Sequence, residues 1–241
     1  MVSMPVQINC PLSGLQLTIE REAHNIEFLT RAAAEPNSLK RLALVAVYGC
    51  VRAILFKDRV RKPFNAMLGE TYELVTPTYR LIAEQVSHHP PISACFIQGD
   101  GFIYEKSFVP KIKFTGRSIS AADEGACLTT LFAGETGKEL YNIGSAKTAV
   151  GNLIIGETYI EPLGTCEVVN HTTGEKAHCE FPGRGYFSSA KEVVNITVKD
   201  ANGQARLEIT GRYHDVLEMK DLENGETTEI WRCPDYLPKN A

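Results

Sequence analysis

From Gly69 onward, the sequence consists of short runs rich in β-branched and aromatic residues, separated by turn-forming residues roughly every ten positions. Glycine and polar residues make up the interruptions at 98–101, 133–137, 173–174 and 200–203. Such spacing is typical of antiparallel strands joined by short connections. The sequence therefore predicts a large antiparallel sheet over most of its length.

A sheet of many consecutive strands is expected to curl or close, because an open sheet leaves unpaired edges. Val194, Ile196 and Val198 alternate with polar residues, so one face of their strand is apolar. A barrel with more than about eight strands is too wide for its own side chains to fill. We therefore expect a β-barrel around a cavity, and inward apolar faces would suit that cavity to a lipid.

The chain before Gly69 has helical periodicity. Steps of three, four and seven place six apolar residues on one helical stripe: Leu12, Leu15, Ile19, Ile26, Leu29 and Ala33. A second helix is expected to begin near Ser38, as its N-cap, and to end near Phe56. The predicted fold class is mainly β with N-terminal helices, an α+β protein.

Composition and charge restrict the class of protein. With 44% hydrophobic and 22% charged residues, the chain is an ordinary globular protein. Its net charge of −4 argues against a general nucleic-acid binder, which usually carries a basic surface. The longest strongly apolar run, residues 42–51, is about half of what a bilayer crossing requires. Seven cysteines without a CxxC spacing, and an N-terminus without a secretory pattern, predict free thiols in the cytoplasm.

Residues 84–91 read EQVSHHPP and lie between two runs that are each expected to form a strand. The two prolines restrict the backbone, so His88 and His89 have few ways to turn. Histidine changes charge near neutral pH and its ring can donate to an anion, which makes a phosphate the natural ligand. A strand-ending turn whose histidines only face water is the alternative, and the spacing alone does not choose between them.

Other chemistries have weaker support. The sequence lacks a GxSxG nucleophile elbow and an HExxH helix, and the glycines at 151 and 156 are not followed by the lysine of a phosphate loop. A zinc site that joins His88 or His89 to Cys95, His178 or Cys179 has no ligand spacing to support it. Acid–base catalysis by either histidine with Glu84 remains open. We expect no enzyme, no metal and no cofactor.

The octapeptide at 84–91 resembles the fingerprint of the oxysterol-binding protein family. Residues 62–71, KPFNAMLGET, resemble the KPxNPxLGE motif of that family, with Ala66 in place of proline. The resemblance implies one lipid-binding domain over residues 1–241. Its parts would be a helical region at 1–61, a nearly closed antiparallel barrel around a hydrophobic lipid tunnel at 62–212, and a tail at 213–241.

The resemblance also implies a function, which is lipid binding and transfer at the cytoplasmic faces of membranes. The ligand would be a sterol or a phospholipid such as phosphatidylserine or phosphatidylinositol 4-phosphate. Lys62, His88 and His89 would contact the inositol phosphate, and Asn65 would contact the glycerol phosphate or the headgroup near it. The contact with membranes would be peripheral and transient. A lipid sensor or scaffold that binds a partner protein is the alternative, since it needs the same pocket.

The sequence departs from the family pattern at both ends. We expect this protein to lack the lid segment that precedes the Met-Pro-Val motif in family members, and also the C-terminal helical region that holds further phosphate ligands. We therefore expect weaker phosphoinositide binding, and an extended tail after Trp231. A partner protein or this tail would then cover the mouth of the tunnel.

Overall fold

The computed structural model describes residues 9–52, 62–114, 119–133, 137–151, 159–183 and 192–234. Within these ranges the helices are α1 (Gly14–Ala23), α2 (Glu27–Ala34) and α3 (Ser38–Val51). The strands are β1 (Asn9–Ser13), β2 (Lys62–Phe64), β3 (Thr71–Val75), β4 (Tyr79–Ser87), β5 (Ile92–Gly99), β6 (Phe102–Phe108), β7 (Pro110–Phe114), β8 (Ile119–Asp123), β9 (Cys127–Leu131), β10 (Glu139–Ile143), β11 (Lys147–Gly151), β12 (Tyr159–Asn170), β13 (Lys176–Phe181), β14 (Val193–Lys199), β15 (Ala205–Arg212), β16 (Val216–Asp221) and β17 (Thr227–Arg232).

A mostly antiparallel sheet dominates the fold, as predicted. Its strands follow the order β17-β16-β15-β14-β13-β12-β10-β9-β6-β5-β4-β3, while β1 and β2 form a separate parallel pair. A side branch leaves this path at β12, which pairs with β10 near one end and with β11 near the other; β11 continues to β8 and β7. Among the described residues, no ladder joins β3 to β17, so hydrogen bonds do not close the sheet.

The helices cover one face of the sheet. Helix α3 contacts β10 and β12 to β15, α1 contacts β3 to β5, and α2 contacts β6 and β9. The apolar middle of α3, residues 42–48, is buried as the sequence predicted. On β14, Val194, Ile196 and Val198 are buried, which confirms the predicted alternation. The helices and the inward face of the sheet thus share one core.

A buried ion pair fixes α3 against the sheet. The Nε and Nη2 atoms of Arg41 donate to the Glu139 carboxylate on β10, at 2.9 and 2.7 Å. Tyr141 and Asn170 also donate to this carboxylate. Burial alone would raise the pKa of Glu139, but the hydrogen bonds from Arg41 and Tyr141 hold the pKa below its usual range. The bidentate geometry gives the helix a defined position over β10 and β12.

The structure corrects the predicted N-terminal region. Leu12 lies on β1, and the rest of the predicted stripe is divided between α1 and α2. The helical path ends after α1 because the C-cap His24 is extended and Asn25 adopts φ of 60°. Asparagine tolerates this left-handed conformation better than most residues. The N-cap of α3 is Asn37, whose side chain accepts a hydrogen bond from the backbone N of Lys40, and Ser38 is the first helical residue. The predicted end near Phe56 lies outside the described residues.

The predicted tail at 213–241 is also corrected, because β16 and β17 extend the sheet to Arg232. Trp231 is buried, its Nε1 donates to the carbonyl oxygen of Tyr213, and its ring centroid lies 5.8 Å from that of Phe28 on α2. These contacts tie the last described strand to the helices. Residues 235–241 lie outside the described part of the chain. The helices that the structure describes are all too short or too polar to cross a bilayer.

Candidate functional site

A cavity of about 430 Å³ lies between the helices and the sheet. Residues from α1, α3, the segment 63–66 and the β4–β5 turn line one part of it. Strands β6, β7, β8, β11, β12 and β13 supply the remaining wall. Its volume falls within the range of about 300 to 1,000 Å³ that is usual for small-molecule sites. The cavity therefore adjoins both sequence motifs that the resemblance singled out.

His88 and His89 lie side by side at the β4–β5 turn and both line the cavity. Their ring centroids are 4.4 Å apart, with the rings tilted by 58°. The Nδ1 atom of His88 donates to the carbonyl oxygen of Ala66 at 3.0 Å. This bond orients the half-buried ring, while His89 is exposed. The turn also contains a cis peptide bond between His89 and Pro90.

Backbone hydrogen bonds hold the two motifs together. Gly69 N donates to the carbonyl oxygen of Gln85, and Gln85 N donates to that of Glu70, both at 2.9 Å. The Glu70 carboxylate accepts from the backbone N of Met67 at 2.9 Å, which closes the loop on itself. Gly69 has φ of 76°, a conformation that glycine adopts without strain. The segment between β2 and β3 is thereby fixed beside the histidine turn.

The structure brings three of the four predicted headgroup residues together. Asn65, His88 and His89 line the same cavity. Asn65 and His89 are also exposed, so the cavity opens to solvent beside them, and this opening is its mouth. For Lys62 the structure describes the backbone, which pairs with Asn9 between β1 and β2. The Lys62 side chain lies outside what is described. The headgroup role of all four residues remains a proposal.

A charged cluster in the cavity wall was missed at the sequence level. The Nζ atom of Lys106 lies 3.0 Å from Oδ2 of Asp123, 3.3 Å from Oγ of Ser145 and 4.8 Å from the ring centroid of Phe108. All of these residues line the cavity. A signal was present, because Lys106 falls in the inward phase of β6 between buried Tyr104 and Phe108. The partners of Lys106 are distant in sequence and carry no such signal.

The pairing of β5 with β6 shows how far Lys106 lies from the histidine turn. Three paired rows lead away from the histidine turn along β5 and β6: Ser93 with Phe108, Cys95 with Lys106, and Ile97 with Tyr104. Successive rows on the same face of a strand are about 7 Å apart. Lys106 therefore lies in the wall between the histidine turn and the layer of Tyr104.

A second charged cluster centres on Glu22 of α1, which is fully buried. It forms ion pairs with Arg52 and Arg21, and the hydroxyl of Tyr104 donates to its Oε2. Burial alone would raise the pKa of Glu22, but the charges of Arg52, Lys106 and Arg21 hold it well below its usual range. Arg21 and Arg52 also line the cavity. The ionised carboxylate thus keeps two guanidinium groups in the cavity wall.

Replacing Lys106 with methionine is expected to lower the free energy of unfolding by about 1 to 3 kcal/mol, because Asp123 and Ser145 lose a buried donor. Urea denaturation would measure the loss. Asp123→Asn and the double variant Lys106→Met/Asp123→Asn complete a double-mutant cycle. The double variant should lose less unfolding free energy than the sum of the losses of the two single variants. Additive costs would show that Lys106 and Asp123 do not stabilise each other.

The zinc alternative has no support in the part of the chain that is described, where three or more His, Cys, Asp or Glu side chains are nowhere grouped to hold a metal ion. The described cysteines are free thiols. Burial and neighbouring acidic groups raise the pKa of the Cys95 thiol. Such a thiol is a poor nucleophile, because the thiolate is the reactive form.

Comparison with known proteins shows which family this chain resembles. Residues 1–240 match the family model described as Oxysterol-binding protein. The chain belongs to the oxysterol-binding protein family. This family member is 36% identical to human oxysterol-binding protein-related protein 2 over 220 residues, which cover 90% of this chain and 45% of that protein. It is 35% identical to oxysterol-binding protein-related protein 1 of Rattus norvegicus, over 91% of this chain and 23% of that protein. It therefore spans less than half the length of these relatives.

Solved structures of the family have the same fold. The Osh1 ORD domain in complex with ergosterol superposes with a TM-score of 0.90 at 27% identity, over 97% of this family member and 60% of the Osh1 chain. The Osh3 ORD of Saccharomyces cerevisiae in complex with PI(4)P superposes with a TM-score of 0.84 at 31% identity, over 99% and 63% of the two chains. The family predicted from the two motifs is confirmed.

Proposed function

We propose that this chain binds a membrane lipid, a sterol or phosphatidylinositol 4-phosphate, in its cavity and transfers it between membranes. The observation that carries the proposal is the convergence of both motifs on one cavity, which Asn65, His88 and His89 line together. Its fold matches ORD structures in complex with ergosterol, with cholesterol and with PI(4)P. These similarities support the lipid class as well as the fold.

The headgroup would bind at the mouth. A phosphate that leaves water must regain hydrogen bonds, and charge-assisted bonds are the strongest replacement. The imidazoles of His88 and His89 can donate to it, Asn65 can donate through its amide, and Lys62 would add an ammonium group. Because Nδ1 of His88 donates to the carbonyl oxygen of Ala66, Nε2 of that ring donates to a phosphate in the imidazolium form.

The apolar body of the lipid would occupy the interior. Leu15, Ala121, Ala122, Pro162 and Phe181 contribute apolar surface to the cavity wall. The free energy gained scales with the apolar area removed from water, at roughly 25 cal/mol per Å². The apolar part of a bound lipid would thus be enclosed between the sheet and the helices. The protein would act as a carrier rather than an enzyme, in peripheral contact with membranes.

A vesicle assay tests the proposed function. Donor vesicles that contain a fluorescent sterol, or phosphatidylinositol 4-phosphate with a headgroup probe, are mixed with acceptor vesicles and a small amount of protein. We expect each protein molecule to move many lipids. Stoichiometric uptake without movement would instead support the sensor or scaffold. Absence of uptake of both lipids would overturn the proposed function.

A further inference from the structure

Four large apolar side chains are exposed on segments that line the cavity or directly continue a lining segment. Met67 and Leu68 are 70% and 68% exposed on the segment between β2 and β3, and Phe64 is 52% exposed at its start. Ile112 is 70% exposed on β7. Phe64 and Ile112 also line the cavity. Phe64 and Ile112 therefore each present apolar surface both to solvent and to the cavity.

The exposed side chains of Met67 and Leu68 are held in place. Ala66, just before them, accepts the hydrogen bond from His88, and Gly69, just after them, donates to Gln85. The Glu70 carboxylate accepts from the backbone N of Met67. Because the loop is fixed at both ends, its apolar tip would lose little conformational entropy when it is covered.

Ile112 adds an exposed apolar side chain that lines the cavity from β7. Its neighbours Lys111 and Lys113 are exposed, and Lys111 pairs with Glu124 on the adjoining strand end. Exposed lysines beside exposed apolar side chains suit the interface of a bilayer, where anionic headgroups lie next to the hydrocarbon.

We propose that Phe64, Met67, Leu68 and Ile112 form a docking rim that inserts into the interfacial region of a lipid bilayer. The inference rests on the proposed function, since it assumes that lipid passes through this mouth. A bilayer fits this rim better than a protein does, because a protein seated on the rim would cover the opening through which the lipid has to pass. Docking also brings His88 and His89 to the level of the headgroups, because the loop carrying Met67 and Leu68 is bonded to the histidine turn.

Vesicle binding tests the rim. The double variant Met67→Ser/Leu68→Ser and the single variant Ile112→Ser are compared with the unaltered protein by sedimentation with vesicles of phosphatidylcholine and phosphatidylserine. We expect about tenfold weaker binding for the double variant, because two apolar side chains no longer leave water. Val75→Ser is the matched control. Val75 is 81% exposed at the end of β3 and does not line the cavity, so its replacement should leave vesicle binding unchanged.

Sterol loading in the absence of a membrane distinguishes a defect in membrane docking from a defect in the cavity. Fluorescent sterol delivered from cyclodextrin should enter the rim variants as it enters the unaltered protein. Equal vesicle binding by the unaltered protein and the rim variants would contradict the docking rim. So would a loss of sterol loading from cyclodextrin as large as the loss of vesicle binding. A wild-type chain that binds only a protein partner and no vesicles would also overturn it. If the unaltered protein binds vesicles through the rim but loads neither sterol nor phosphoinositide, the proposed function fails while the rim stands.

Discussion

Replacing both His88 and His89 by alanine is expected to weaken binding of phosphatidylinositol 4-phosphate at least a hundredfold while sterol uptake and the fold are retained. A hydrogen bond to a charged group contributes roughly 1.5 to 3 kcal/mol, and the double variant removes two such donors from the phosphate. Phosphoinositide extraction from vesicles, measured with a headgroup probe, gives the affinity. Uptake of fluorescent sterol from cyclodextrin is measured on the same preparation.

Single variants refine this result, because the two histidines differ in their contacts. His88 also bonds to the carbonyl oxygen of Ala66, so His88→Ala removes a loop contact together with a phosphate donor. His89 is exposed, and His89→Ala should remove the phosphate donor with little change in stability. His171→Ala, at an exposed position in the turn after β12, is the matched control. Normal phosphoinositide extraction by the double variant would show that the headgroup binds elsewhere.

Replacing Glu22 with glutamine is expected to lower the free energy of unfolding by about 3 to 5 kcal/mol. Removal of one partner of a buried ion pair leaves the other charge without compensation, and here Arg52 is the buried partner. Tyr104, whose hydroxyl donates to the same carboxylate, also loses an ionised acceptor. Denaturation with urea near neutral pH measures the difference. Glu180→Gln, at an exposed position on β13, should change stability by no more than about 0.5 kcal/mol.

The pH dependence of this difference follows from the depressed pKa of Glu22. In the unfolded chain a glutamate titrates near about 4.3, so the stabilisation by ionised Glu22 is complete above that pH. It is lost as the pH falls from there toward the lower pKa of the folded state. We therefore expect the gap between Glu22→Gln and the unaltered protein to narrow in acid. A gap that stays constant from neutral pH to well below pH 4 would contradict the assigned charge.

Much of the fold could be predicted from local patterns. Turn residues at regular intervals predicted the antiparallel strands, since the conformation of a turn depends on the few residues within it. Alternation predicted the buried face of β14, and a continuous apolar run predicted the burial of α3. Errors occurred where the pattern is the same on both sides of a break, as at Asn25, or where strands are short and largely exposed, as in β16 and β17.

The candidate site, like the fold, could be predicted only where a local pattern carries it. The sequence by itself determined the family, because two contiguous motifs carry it, and one of these motifs drew attention to His88 and His89, whose headgroup role stays a proposal. Only the tertiary structure decided that Lys106 meets Asp123 and Ser145, that Glu22 meets Arg52 and Tyr104, and that Met67 and Leu68 stay exposed. The two charged clusters join residues far apart in the chain, and exposure depends on what packs nearby, so no local spacing encodes either. They depend on strand register and on the seat of the helices, which are set by the packing of the whole core.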